Sequence, residues 1–528
     1  MKNVFMTGVA ALALAACGGG SSPEEVSEAL VQLSLNDSGS GRVEFEDKSV
    51  SGSDATFKNV KILTSEFDAE MDDEMEGDVG VDIDADGSDL MIDEMKFAGL
   101  ALNDAGQANF SKMTLSKIRA VPSEASTEQT ANISVEMIEL DDPTPELAAW
   151  LGGVFGTAEP SDIPTPDNVQ FESFKLTNFL AEDLEGDGGQ GRVSVASIIA
   201  DKVGSDKIGE LALNDFDMKF NDTDSGNSGT FKLGKIGLKG ANAKYLQAML
   251  ADSEDEAAEN IMQTMYANPL DPGFDNFVLS DLALDMAGLK VTLPKMSYDI
   301  DRNGNGVPTK FTVPKFNLKM TADENGGEIG AQLAPMLLMV GFEDIEITGE
   351  GVSTYDPKTD IATTESSVLD VKDALVFNTT SKIGGMREFG DAMQAMDSDA
   401  FAAGEQDPNA MMMDMYSDLD FHEFTFSIED KGVVNKTLMF FATQQGSDPE
   451  QLRQLAVGMV SGLPAMASGM GVDPALATEL SAAVSSFIAD GGTLTVAFEP
   501  EEPFQITTFM EDPSLATKKR LGFSAKTE

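Results

Sequence analysis

A short phrase recurs along this chain: a Phe, two positions that are mostly polar, an apolar residue, one further position and a second apolar residue. Its clearest copy is Phe171-Glu172-Ser173-Phe174-Lys175-Leu176, and others begin at Phe57, Phe110, Phe274, Phe342 and Phe421. Successive side chains of a strand point to opposite faces, so residues two apart share one. Each phrase therefore predicts a strand whose last two apolar residues line one sheet face: Val60 and Ile62, Met113 and Leu115, Phe174 and Leu176, Phe277 and Leu279, Ile345 and Ile347, Phe424 and Phe426. The leading Phe, three positions earlier, breaks the alternation. It is expected on the opposite face, at the strand start or at a bulge.

Between the copies lie loops rich in Asp, Gly and Asn, such as 82–87, 186–191, 222–227 and 302–306. These residues tolerate the positive φ of tight turns. The expected fold is mainly β with helices (α+β). A long curved antiparallel sheet of repeated amphipathic strands would occupy residues 42–385, with inserted helices and a sub-boundary near 268. A Met-rich linker over 386–417 and a helix-rich α+β portion over 418–528 would follow.

Helix signals are local. Ser22-Pro23-Glu24-Glu25 reads as a capped start, with Val26, Leu30 and Leu33 on one face. Pro145 opens a short helix containing Trp150, and Ala243–Tyr266 carries a longer helical pattern. Ala334–Val340 is a third candidate, running into Phe342. Each of these is expected to lie on the sheet as a lid or divider. In the C-terminal portion a helix is expected over Gly432–Gln445. Another begins at Pro449, with Leu452, Leu455, Val457 and Met459 available for its core side. A third begins at Pro474, with Leu476, Leu480, Val484 and Phe487 at near-helical spacing.

The chain begins with Met1-Lys2, an apolar run from Val4 to Ala16, and then Cys17 and a Gly/Ser stretch. The apolar run is far short of the ~20 residues that cross a bilayer, so residues 1–16 read as a signal peptide. Leu14-Ala15-Ala16-Cys17 resembles a bacterial lipobox. That resemblance implies lipidation of Cys17, with residues 17–41 as the lipidated Cys, a tether and a short helix. It also implies a membrane partner through N-terminal acyl chains and a place in the bacterial cell envelope. Gly18, in place of an Asp, favours the outer membrane.

Cys17 is the only Cys, so no disulfide can form within the chain. The net charge of −56, from 35 basic and 91 acidic residues, opposes binding to nucleic acid. The single histidine, His422, cannot build a His-rich metal site or a Ser–His nucleophile system. Gly186-x-Gly188-x-x-Gly191 matches a dinucleotide fingerprint by letter. The acidic residues around it would repel a pyrophosphate, so it reads as a loop. Calcium is the one cofactor with a sequence rationale. Asp82, Asp84 and Asp86 before Gly87, with Asp93 beyond, resemble an EF-hand loop, and Asp299, Asp301 and Asn303 before Gly304 resemble its first half.

Strands such as Phe57-Lys58-Asn59-Val60-Lys61-Ile62 and Phe274-Asp275-Asn276-Phe277-Val278-Leu279 resemble those of bacterial AsmA-like and DUF945-like envelope proteins. The resemblance rests on strand rhythm over residues 42–385 and carries no functional residue across. It implies lipid handling along an apolar groove. The leading expectation is a non-enzymatic envelope lipoprotein facing the periplasm, a scaffold or a binder of a lipid or an envelope protein. A surface-exposed, Ca²⁺-stabilised adhesion protein and a carboxylate-dependent hydrolase are the alternatives.

Overall fold

The computed structural model describes residues 21–63, 88–122, 132–156, 170–186, 189–222, 228–245, 270–394, 416–417, 419–469, 473–505 and 512–528, with 264, 268, 507 and 508 as isolated positions. The chain is mostly strand, paired in long antiparallel ladders, with helices concentrated toward the C-terminus. It divides into two compact units, Met1–Ser228 with Lys239–Leu250, and Gly229–Leu238 with Ala251–Glu528.

In the first unit, β1 (Val43–Glu44) and β2 (Asp47–Ser51) both pair with β3 (Asp54–Ile62). The ladder continues through β4 (Ser88–Ala98), β7 (Lys112–Pro122), β8 (Asn132–Asp141), β9 (Phe171–Gly186), β10 (Gly189–Val203) and β11 (Lys207–Asp222). β5 (Ala101–Leu102) and β6 (Ala108–Asn109) form a separate small pair. Helices α1 (Pro23–Gln32) and α2 (Pro145–Phe155) close one face of the sheet. Ser22 caps α1 by accepting from the Glu25 N–H while Glu25 accepts from the Ser22 N–H, as the sequence predicts. Val26, Leu30 and Leu33 are buried against Phe57, Val60, Met95 and Phe97 in one core. Phe45, Phe57, Phe97 and Phe110 meet edge to face at 5.0–6.4 Å. Gly152 of α2 lies so close to α1 that a Cβ would sit 2.5 Å from the Gln32 carbonyl oxygen; only glycine allows that approach.

The leading Phe of the phrase requires a correction. Phe57, Val60 and Ile62 are all buried on the same face. The cause is Asn59, whose φ of 50° is left-handed. It turns the backbone so that Lys58 and Asn59 both project outward and the inner face resumes at Val60. Lys117 (φ 54°), Asn178 (52°) and Asp215 (51°) repeat this on β7, β9 and β11. Each marks a skipped pairing: Lys58↔Glu94 is followed by Val60↔Ile92, and Thr177↔Ser197 by Phe179↔Val195. The four residues lie in one row along the ladder from β3 to β11, at which each pairing skips a residue.

Strand β12 (Ser228–Asn242) has residues in both units. The second unit continues with β13 (Asn276–Met286), β14 (Leu289–Arg302), β15 (Pro308–Ala322), helix α3 (Glu328–Met339), β16 (Asp344–Asp356), β17 (Ile361–Val371), β18 (Leu375–Gly384) and helix α4 (Met386–Gln394). After these come β19 (Asp420–Asp430), α5 (Val433–Gln445), α6 (Pro449–Gly469), α7 (Pro474–Asp490), β20 (Thr493–Phe498), β21 (Phe504–Gln505), α8 (Lys518–Leu521) and β22 (Phe523–Thr527). Asp281 (φ 53°) resets β13 as Asn59 resets β3. In the last phrase the device differs. Ile383↔Phe421 and Ser381↔Phe424 pair across a bulge at His422, which again places both Phe on one face.

Arg302 ties the start of β13 to the end of β14 by donating to Asp271 and Asp275. These bonds hold its guanidinium charged well above the usual range. α3 starts earlier than its apolar stretch suggests, at Glu328. The Met-rich stretch from 386 is helical as far as Gln394, and residues 395–415 lie outside the described residues. So does nearly all of the expected helix after Ala243. Gly189 and Gly191 of the glycine-rich motif lie on β10, in a hairpin with β9.

Candidate functional site

The sheet face predicted from the phrase is closed by degrees. Val60, Ile62, Met113 and Leu115 are buried under α1 and α2, and Phe174 and Leu176 pack partly against the same core. In the second unit Phe277, Leu279, Ile345, Ile347, Phe424 and Phe426 are half-buried. One cross-strand row runs Phe316, Gly349, Leu369, Phe377, Ile428, Leu494. Leu494 is buried beneath α7, whereas Leu369 is 40% exposed. The Phe316 ring lies over Gly349, where a Cβ would come within 2.6 Å of it.

Helices α5, α6 and α7 enclose an apolar groove of about 490 Å³. Val433, Val434, Leu438 and Phe441 of α5 form one wall, Leu452, Leu455, Ala456 and Met459 of α6 the other, and Phe487 and Ile488 of α7 the end; Thr437 and Gln445 are the only polar side chains among the described residues that line it. Local chemistry sets the three helices. Asp448 caps α6 by accepting from the Glu450 N–H at 2.8 Å, and Asp473 caps α7 by accepting from Ala475 at 2.9 Å. Arg453 of α6 donates to the Ile488 carbonyl at the end of α7 and to Asn435 on α5, so one side chain joins all three. The Ser481 hydroxyl donates to the Val460 carbonyl at 2.7 Å. Lys436 of α5 donates to the Gly341 carbonyl and sits 4.2 Å over the Phe342 ring, fixing α5 to the end of α3.

The face of α7 away from α6 belongs to the sheet. Phe487 and Ala483 pack on Leu494, Val496, Phe523 and Ala525. Asp473 accepts the Lys518 N–H at 2.8 Å, and Glu479 accepts the Ala525 N–H at 3.1 Å while pairing with the Lys518 ammonium. The Lys518 backbone N–H holds the Asp473 carboxyl below its ordinary range, and the Lys518 ammonium does the same for Glu479. A smaller aromatic notch of about 310 Å³, lined by Phe421, Phe424, Phe498 and Phe504, lies at the other end of β19.

The sequence expectation for α6 also needs correcting. Leu455 and Met459 are not core residues: they are 59% and 65% exposed, on the rim of the groove. Their spacing fits a helix, but among the described residues nothing covers them, so part of the apolar surface of α6 is left over.

Of the proposed Ca²⁺ ligands, the described ones each have a place in the strands or turns. Asp82, Asp84 and Asp86 lie outside the described residues, as does Cys17. Asp93 lies on β4 and is paired with Arg119 at 2.8 Å. Asp299 lies on β14 and accepts from the Asn276 amide at 2.6 Å. Asp301 is near the end of the same strand, opposite Lys310. The Asn303 side-chain oxygen accepts from the Asn305 and Val307 N–H groups, which builds the turn into β15. Among the described residues, no group of three or more His, Cys, Asp or Glu is arranged to hold a metal.

A second concavity, about 600 Å³, follows the reset row on the polar side of the first unit, beside Lys117, Arg119, Glu136, Asn178, Arg192 and Asp215. Its arginines are engaged by carboxylates, Arg119 by Asp93 and Arg192 by Glu182 at 3.1 Å. Its charge is mixed, and it selects no ligand class. The apolar groove does.

A family described as an uncharacterised protein matches residues 368–528, a span that contains every residue of the groove. No curated protein and no solved structure matches the chain. Among the described residues, no helix is long and apolar enough to cross a membrane.

Proposed function

We propose that this is a non-enzymatic lipoprotein of the bacterial cell envelope, anchored through Cys17, whose C-terminal helices hold one acyl chain of a lipid. The observation that carries the reading is the α5–α6–α7 groove. Its volume of about 490 Å³ falls within the ~300–1,000 Å³ typical of small-molecule sites. Its walls are mostly Val, Leu, Ala, Phe, Met and Ile, with Thr437 and Gln445 at the edge and no charged side chain among the described residues that line it. Such a surface selects a ligand by apolar area, at about 0.8 kcal/mol for each buried CH₂. A hydrolytic role would need a polarised carboxylate pair in a cleft, and the groove offers none. The sheet is the scaffold: α7 is fastened to β20 and β22, and α5 and α6 are fastened to α7.

The test is mass spectrometry of an organic extract of the Cys17→Ser chain, purified without detergent so that neither anchor nor detergent supplies acyl groups. About one equivalent of acyl lipid per chain is expected. Its absence from chain purified out of a lipid-containing lysate would contradict the reading.

A further inference from the structure

Among the described residues the outer face of α6 is left exposed, and its composition is unusual for this chain. No charged residue lies between Arg453 and Asp473, although Asp, Glu, Lys and Arg make up 24% of the sequence. Leu455, Met459, Leu463 and Met466 project from α6 at 59%, 65%, 43% and 67% exposure. Their spacings of four, four and three residues put them on one helical stripe. Gly458, Ser461, Gly462 and Ala465 lie around them, also exposed. An exposed apolar stripe of this kind marks a contact surface.

We propose that this stripe rests on the surface of a zwitterionic lipid bilayer, and that acyl chains pass over it into the groove. The groove's role as an acyl site is taken from the preceding section; the docking has its own grounds. Leu455 and Met459 belong both to the stripe and to the groove wall, so an acyl chain leaving the bilayer reaches the groove without crossing water. A charge-free face enters the headgroup boundary without desolvating an ion. A second copy of this chain is a poor occupant, since each copy carries −56. The absence of Lys and Arg from the stripe, with the acidity of the whole chain, sets the preference for zwitterionic over anionic headgroups.

The experiment uses the full chain carrying Cys17→Ser and Met466→Cys, so that an environment-sensitive fluorophore can be attached at one place. A second chain carries the fluorophore through Glu365→Cys on the exposed polar side of β17. Phosphatidylcholine vesicles are expected to blue-shift the probe at 466 and not at 365. Phosphatidylglycerol vesicles are expected to act more weakly, with the shift growing as salt screens the repulsion. No shift at 466, or equal shifts at both positions, would overturn the docking. A shift that depends on protein concentration without vesicles would overturn it in favour of self-association. Acyl lipid in the organic extract with no shift at 466 leaves the groove standing and removes the docking. A shift with no extractable lipid does the reverse.

Discussion

Helices α1 and α2 in the first unit and α5 and α6 in the second all carry apolar faces, and the two pairs use those faces oppositely. In the first unit the faces turn inward: Val26, Leu30 and Leu147 are buried, and the Phe57–Phe97–Phe110 chain completes a closed core. In the second, α7 covers the β20–β22 end of the sheet. α5 and α6 lie beside it with Phe441, Leu455 and Met459 open to their surroundings. A single amphipathic helix can be spent on stability. A third helix placed next to one that already covers the sheet has apolar surface left, and that surface is available to a ligand.

The sharpest way to break this contrast is truncation on each side of it. Phe57→Ala should cost about 3–5 kcal/mol, the usual range for emptying a Phe from a core. Met459→Ala should leave stability within about 0.5 kcal/mol, as exposed substitutions do. Urea unfolding of the two variants measures both; comparable losses would mean that the α6 rim is core. A smaller effect is expected at the reset row. Asn59→Val forces a β-branched residue into left-handed backbone and should cost about 1–2 kcal/mol, while Asn59→Gly, free of that strain, should cost less.

The third effect is a pH dependence confined to the second unit. Asp473 and Glu479 have carboxyls held below their ordinary range by the Lys518 N–H and ammonium. Their contribution is therefore complete above the ordinary carboxyl pKa near ~4, and is lost as pH falls through the depressed values. Hydrogen exchange across an acid series should show the amide of Ala525 losing protection in that window before the strands around Phe57 do. Glu479→Gln should reduce the pH dependence without moving the window for Phe57.

Much of the fold was legible. The Ser22-Pro23-Glu24-Glu25 cap, the strands of the Phe phrase and the helices after Pro145, Pro449 and Pro474 follow from local chemistry that a sequence displays. The facing of the leading Phe was not legible from alternation, because alternation assumes extended backbone at every position. A signal was nevertheless present. Phe57-x-Asn59-Val60, Leu176-x-Asn178-Phe179, Leu213-x-Asp215-Phe216 and Leu279-x-Asp281-Leu282 each put Asn or Asp, which adopt left-handed backbone most readily after Gly, before the apolar residue. Lys117 carries no such mark. The groove was less legible still. Helical spacing identifies Leu455 and Met459 as one face of α6, but which faces are covered depends on α7 and on where Arg453 and Ser481 fasten the helices. The charge-free run after Arg453 was the one overlooked pointer to an exposed apolar surface.

The central claim is that the α5–α6–α7 groove holds an acyl chain, and a direct measurement is titration of the full chain with a fluorescent fatty acid beside its Ala456→Trp variant. Ala456 lines the groove wall, and an indole there fills the space an acyl chain would take. The account predicts saturable binding of about one equivalent to the native chain and a loss of at least tenfold in affinity in the variant, with the unfolding midpoint retained. Equal binding by both chains would place the ligand elsewhere and contradict it.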